Sequence, residues 1–129
     1  MPATRLEPTP NCCPSKPALR DRPLMTRAQA DEIVGLFTVL ADATRLRLLH
    51  ALARAGELRV TDLAEAVGVA VQAVSNQLRR LVGRGILGSR RQGTRVYYRI
   101  TDPCVTDLLD RGLCLAEDAR PRTTGSPVG

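Results

Sequence analysis

Apolar residues recur every three or four positions along five stretches of this chain, the spacing that places them on one side of an α-helix. The first predicted helix opens at the capping residue Thr26, and the second is capped by Asp42 and ends near Gly56. The third follows Thr61 and ends at Gly68. The apolar stripe of the first helix comprises Ala30, Ile33, Val34, Phe37, Leu40 and Ala41.

A fourth helix and a β-hairpin follow in the predicted order. The helix spans roughly residues 71–82. Its inward face is expected to consist of Val74, Leu78, Leu81 and Val82. Two strands, 86–91 and 95–100, flank a turn at Gln92 and Gly93. Apolar and polar residues alternate along the second strand, which is typical of a half-buried hairpin.

The fifth helix completes a fold that is mainly α with a β-hairpin. It is capped by Asp102 and begins at Pro103, where a proline loses no hydrogen bond. Its apolar stripe is Val105, Leu108, Leu109, Gly112, Leu113 and Ala116. The folded domain is predicted over residues 24–118, after a flexible, proline-rich arm at 1–23 and before a disordered tail at 119–129.

Length and composition narrow the class of protein. A chain of 129 residues is long enough for one domain and too short for a two-domain enzyme. A hydrophobic content of 43% argues against wholesale disorder. No apolar run approaches the roughly 18 residues of a membrane span, and no secretory signal opens the chain. The expectation is a cytoplasmic protein without a membrane partner.

The positive charge is concentrated in one segment. The net charge of the chain is +6, yet residues 76–99 hold seven arginines and no acid, so the remainder is close to neutral. A basic stretch can simply be a solvated face. The complete absence of acids favours a phosphate-rich partner instead.

The third and fourth helices, joined by a short turn, form a helix-turn-helix pattern. A helix enters the DNA major groove when its outer face is polar and unobstructed. The candidate DNA-binding residues on the fourth helix are Gln72, Ser75, Asn76, Arg79 and Arg80. Those on the hairpin, which forms a wing, are Arg90, Arg91 and Arg95. The alternative is an ordinary surface helix followed by an ordinary hairpin.

Four blocks of this sequence resemble the ArsR/SmtB family of bacterial repressors. They cover residues 40–49, 74–78, 85–87 and 96–98, and the similarity extends over about 27–116. The resemblance implies a winged helix-turn-helix fold and a homodimer through the first and fifth helices. It also implies a repressor that binds operator DNA when empty and leaves it when an inducer binds.

The start of the fourth helix departs from the family pattern. The family usually has Ser or Thr followed by Gln, whereas this chain has Ala70 and Val71. Losing the cap costs about 1 kcal/mol in typical cases. Val71 could meet a thymine methyl group instead of a polar base edge, so the resemblance does not define the operator sequence.

Two thiols lie in the arm and two in the fifth helix: Cys12, Cys13, Cys104 and Cys114. Disulfides are not expected in a protein without an export signal. Each cysteine could be a small hydrophobe, but adjacent thiols in a flexible arm bury nothing. Thiolates select soft ions, namely Cd(II), Pb(II), Hg(II), and by similar chemistry arsenite or antimonite. We therefore predict a thiophilic inducer bound by these four cysteines.

The family's two known ligand positions fit this chain unequally. The paired thiols at the start of the third helix are absent from residues 57–63. On the fifth helix, Cys104 occupies the position of a histidine ligand of the zinc sensors. Cys104 and Cys114 cannot share an ion within one helix, but they could approach each other across two antiparallel fifth helices. His50, the single histidine, is expected to be packed or solvated.

Three alternatives remain at this stage. Oxidation or persulfidation of the same thiols could replace metal, giving a thiol-redox repressor. A nucleic-acid packaging protein would bind DNA without a preferred site. An enzyme is the weakest of the three, because the sequence offers no nucleophile–base pair and no phosphate-binding glycine loop.

Overall fold

Five α-helices and a three-stranded antiparallel sheet form the part of the chain that the computed structural model describes, residues 15–119. In chain order the elements are α1 (Arg27–Leu40), α2 (Ala43–Ala55), β1 (Leu58–Arg59), α3 (Val60–Val67), α4 (Val71–Gly83), β2 (Leu87–Gln92), β3 (Arg95–Ile100) and α5 (Pro103–Ala119). The five predicted helices and the hairpin are confirmed. A short 3-10 turn, Leu19–Asp21, lies in the predicted arm with all of its residues exposed.

Local capping sets most helix boundaries. The backbone N–H of Gln29 donates to Thr26 Oγ1 at 3.1 Å, and Thr26 N–H donates back to Gln29 Oε1 at 2.9 Å, which completes a capping box. Asp42 Oδ2 accepts from the backbone N–H of Arg45 at 2.9 Å and starts α2. The prediction that the third helix follows Thr61 was wrong, because β1 runs directly into α3.

The sheet has the order β1-β3-β2, so β3 is its central strand. Tyr97 pairs with Arg59 on one side and with Arg90 on the other. Gly93 adopts a φ of 65° in the hairpin turn, a conformation that L side chains rarely adopt. The strand β1 was not predicted, since two residues are too few for an alternating pattern.

The core lies where α2, α3 and α4 meet the root of the hairpin. It consists of Leu40, Leu48, Leu49, Leu52, Leu63, Ala64, Val67, Val74, Leu78, Leu81, Ile86 and Leu87. The prediction that Val82 belongs to the buried face was wrong, since its side chain is 37% exposed.

Two helices keep part of their apolar stripes uncovered. Val34 and Phe37 on α1 are exposed, and Leu36 and Val39 contact the core instead. On α5, Val105 and Leu109 pack against the core. The exposed leucines of α5 are Leu108, Leu113 and Leu115. Among the described residues, no helix is long and apolar enough to cross a membrane.

Candidate nucleic-acid interface and thiol site

The packing of α4 leaves one of its faces open. Val74, Leu78 and Leu81 are fully buried against the core, which fixes the rotation of the helix about its axis. The opposite side therefore points outward. The predicted DNA-binding residues of α4 are exposed there, with Ser75 half-buried beside them.

Four of those side chains form one hydrogen-bonded network. Asn76 Oδ1 accepts from Gln72 Nε2 and from Arg79 Nη1, both at 3.2 Å. Arg79 Nη2 also donates to Ser75 Oγ at 3.3 Å. The structure thus brings together four of the five residues that the sequence singled out on this helix. Arg80, the fifth, is exposed at the end of the same face.

The N-terminal end of α4 shows the departure noted in the sequence. Ala70 occupies the N-cap position and provides no side-chain hydrogen bond. Val71 is 46% exposed at the first helical position. An apolar group therefore stands where the outer face of α4 begins.

The wing arginines divide into two groups. Arg91 and Arg95 are exposed beside the turn, where Gln92 pairs with Arg95. Arg90 is held in a bidentate ion pair: its Nε and Nη2 donate to the two carboxylate oxygens of Glu57, each at 2.8 Å. Its guanidinium also lies over the Tyr97 ring, 4.6 Å from the centroid.

Glu57 is a functional candidate that sequence reasoning missed. It lies 33 positions before Arg90, so no local pattern connects the two. Hydrogen bonding from Arg90 lowers the pKa of Glu57 below its usual value, and the same bonds raise the pKa of Arg90. Both groups are therefore ionised at neutral pH.

Arg45 connects α4 to the rest of the domain. Its Nε donates to Gln77 Oε1 at 2.6 Å, and its Nη1 donates to the backbone carbonyl of Val39 at 2.8 Å. One side chain thereby joins the end of α1, the start of α2 and the middle of α4. The sequence showed Arg45 and Gln77 only as parts of two family blocks, without a role.

The two cysteines of α5 have different surroundings. Cys104 is half-buried in the first turn, where its backbone N–H donates to Asp102 Oδ1 at 2.9 Å, and its sulfur is disulfide-bonded. Cys114 is a free, exposed thiol whose Sγ lies 3.9 Å from Asp118 Oδ2. Cys12 and Cys13 lie outside the described residues.

A thiolate site cannot be completed by α5 of one subunit. Cys104 and Cys114 are separated by about 15 Å of helical rise, so one ion cannot contact both. Within residues 15–119, no three His, Cys, Asp or Glu side chains lie close enough to hold a metal ion. His50 is exposed on α2 and belongs to no such group in this part of the chain.

The fold and its sequence are similar to known regulators. The model of bacterial regulatory proteins of the arsR family matches residues 42–89. The crystal structure of AntR, an antimony-specific transcriptional repressor, has 62% sequence identity and a TM-score of 0.71, covering 81% of this chain and 94% of AntR.

Two further relatives bear on the assembly and on the family. A transcriptional repressor SmtB homolog of Synechocystis sp. is 46% identical over 85 residues, which are 66% of this chain and 64% of that repressor. A homodimeric winged helix-turn-helix DNA-binding domain from Mycobacterium bovis, solved by NMR, has 31% identity and a TM-score of 0.65, covering 78% of this chain and 92% of that domain.

Proposed function

This chain belongs to the ArsR family of bacterial regulatory proteins, and on that premise we propose that it is an operator-binding transcriptional repressor released from DNA by antimonite, Sb(III). Family members are DNA-binding transcriptional regulators, not enzymes. The observation that carries the choice of ion is the 62% identity with the antimony-specific AntR. Arsenite, Cd(II), Pb(II) and Hg(II) are the other ions that the same thiolates suit.

The exposed face of α4 supports recognition of operator bases. Gln72, Asn76 and Arg79 carry the amide and guanidinium groups that pair with adenine and guanine edges in the major groove. Their mutual hydrogen bonds hold them in place before DNA arrives, so less side-chain freedom is lost on binding. Val71 adds an apolar contact for a thymine methyl group.

The remaining arginines supply phosphate contacts. Arg80 at the end of the α4 face, together with Arg91 and Arg95 on the wing, is exposed and free to reach the DNA backbone. Such contacts fix the register of the protein on DNA and make binding depend on salt. Arg90 was predicted to act in the same way, but its guanidinium is engaged with Glu57.

A homodimer would cover the open apolar faces of α1 and α5. Phe37 and Val34 on α1, with Leu113 and Leu115 on α5, are each more than half exposed in the single chain. Contiguous exposed apolar residues are typical of a protein interface. Two-fold symmetry would place two copies of α4 on a palindromic operator. The homodimeric relative from Mycobacterium bovis supports this assembly.

The proposed inducer site combines α5 with the N-terminal arm. Cys104 lies at the start of α5, and Cys114 of the same helix is a free, exposed thiol. We propose that Cys12 and Cys13 of the arm supply the remaining thiolates. In the reduced protein, three thiolates from this group suit trivalent antimony or arsenic, and Cys114 would join Cys104 only from the other subunit.

Release would follow from the position of this site. The arm precedes α1, so an ion that joins the arm to α5 connects both helices of the proposed dimer interface. The ion must bind more tightly to the conformation that does not fit DNA than to the conformation that does. The ratio of these two affinities equals the factor by which the ion weakens operator binding. A change in the angle between subunits would then separate the two α4 helices from their half-sites.

Ion binding can be tested independently of DNA. We expect reduced protein titrated with Sb(III) to gain ultraviolet sulfur-to-metal absorption and to lose its reactive thiols. Cys12→Ser, Cys13→Ser and Cys104→Ser should each be compared with the wild type and with Cys114→Ser. Unchanged absorption and affinity in all four variants would contradict a thiolate site.

A thiol-redox repressor is the second candidate, favoured by the disulfide of Cys104. In that case a mild oxidant would release the operator without any metal, and reductant would restore binding. The antimonite proposal expects release by Sb(III) while reductant is present. Comparing both treatments on one DNA fragment separates the two functions.

A further inference from the structure

Glu57, which directly precedes β1, forms a clamp with Tyr97 on β3 and Arg90 on β2. We propose that Arg90 is a positioning residue that orients the wing relative to α4 through Glu57, and that it is not itself a DNA contact. This inference rests on the proposed function of operator binding.

The strand register explains how the clamp arises. Arg90 on β2 is opposite Tyr97 on β3, and Tyr97 is opposite Arg59 on β1. Glu57 lies two positions before Arg59, so an extended backbone places both on the same face of the sheet. The Arg90 side chain therefore has to cross the Tyr97 ring to reach Glu57, which agrees with the 4.6 Å contact. The ion pair joins β2 to the residue that precedes β1, over the central strand.

The clamp lies beside a short junction. The strand β1 has two residues and is followed immediately by α3, so the ladder that joins the start of α3 to the sheet is short. The two 2.8 Å hydrogen bonds between Arg90 and Glu57 strengthen that junction. A third bond, from Arg90 Nη1 to Gln92 Oε1 at 3.2 Å, extends the restraint to the end of β2.

Arg90 and its neighbour Arg91 also differ in their electrostatic surroundings. The Glu57 carboxylate neutralises Arg90 locally, and moving Arg90 onto a phosphate would leave Glu57 without its partner. Arg91 is exposed on the next residue of the same strand. The two arginines are consecutive in sequence, but only Arg91 is available to exchange counterions with DNA.

The test uses full-length protein, an operator selected from random DNA by the wild type, and a scrambled fragment of equal length. Arg91→Ala, the matched control, should weaken binding to both fragments and reduce the salt slope by about one. Glu57→Gln should lower operator affinity about three- to tenfold without weakening scrambled DNA, because it disorders the wing and removes a negative charge. Arg90→Lys should lower operator affinity more than affinity for scrambled DNA, since lysine keeps the charge but cannot form the bidentate pair.

The double variant gives the sharpest outcome. If both substitutions act by breaking the clamp, the protein that carries Glu57→Gln and Arg90→Lys together should lose no more operator preference than either single variant. Additive losses, or an Arg90→Lys protein that binds both DNA fragments more weakly to the same extent, would overturn the proposal.

A readout without DNA separates this proposal from the proposed function. Amide hydrogen exchange at Leu58 and Tyr98 should accelerate in Glu57→Gln and remain unchanged in Arg91→Ala. If the wild type prefers no operator sequence, the proposed function is contradicted. Faster exchange in Glu57→Gln would still support the clamp. Unchanged exchange in Glu57→Gln overturns the clamp whatever the DNA result.

Discussion

Arg45 and Gln77 join α2 to the centre of α4 through a 2.6 Å hydrogen bond between side chains 32 positions apart. The same guanidinium donates to the last turn of α1 at the carbonyl of Val39. Because α1 is proposed to dimerise and α4 to bind DNA, this one side chain ties the orientation of α4 to the dimer. It also occupies Gln77, which therefore serves the fold and not the operator.

Arg45→Lys is expected to destabilise the domain by about 1–2 kcal/mol, because lysine cannot donate to Gln77 and Val39 from one planar group. Operator affinity should fall as α4 loses this restraint. Urea unfolding of the two proteins measures the loss. Arg54→Lys, an exposed position on the same helix, is the control and should unfold like the wild type. Equal stability of Arg45→Lys and Arg54→Lys would contradict this role.

Gln72→Ala and Asn76→Ala should each cost about 1–3 kcal/mol of operator affinity and leave the free energy of unfolding nearly unchanged. Both side chains are exposed, so they contribute to recognition more than to the core. Since Gln72 donates to Asn76, the double variant should lose less than the sum of the two. Fluorescence anisotropy on operator and scrambled DNA checks this. Equal losses on both fragments would show that neither residue recognises bases.

Gly88→Ala should destabilise the root of the wing by about 1–3 kcal/mol. A Cβ at this position would lie 2.8 Å from Thr101 Cγ2, and Thr101 cannot rotate freely because its hydroxyl donates to the carbonyl of Gly85 at 2.9 Å. Gly83→Ala is the matched control, since its Cβ would meet nothing within 4 Å. Thermal unfolding should separate the two variants. A Gly88→Ala protein as stable as Gly83→Ala would contradict the close approach.

The Glu57–Arg90 pair should make the stability of the wing depend on pH. Because Arg90 lowers the pKa of Glu57, the pair stabilises the fold fully above the usual carboxyl value of 4.5 and progressively less as the pH falls below it. Arg99 also faces Glu57 and acts in the same direction. The stability difference between wild type and Glu57→Gln should therefore shrink in acid. A difference that is constant between neutral pH and acid would argue against the pair.

Local signals in the sequence were sufficient for most of the fold. The caps at Thr26 and Asp42 involve residues three positions apart, so they could be recognised directly. Val82 was misplaced because helical projection gives the direction of a side chain but not which neighbours cover it. The strand β1 depends on pairing with a distant strand, and its own two residues carry no pattern.

The candidate site was predictable to different extents. The exposed face of α4 followed from its amphipathic pattern, which also gave Gln72, Asn76 and Arg79. The ion pair between Arg90 and Glu57 could not be predicted in this way, since charge alone cannot distinguish an arginine that binds phosphate from one that binds a carboxylate. For Cys104, a disulfide was not predicted, whereas the structure gives this sulfur a bonded partner.

Release of operator DNA by antimonite tests the central claim most directly. Fluorescence anisotropy would follow reduced wild-type protein on its selected operator while Sb(III) is added, with Cys104→Ser measured in parallel. We expect near-stoichiometric Sb(III) to release the wild type from the operator and to leave Cys104→Ser bound. A wild-type complex that stays intact with Sb(III) bound, or a Cys104→Ser protein that dissociates equally well, would contradict it.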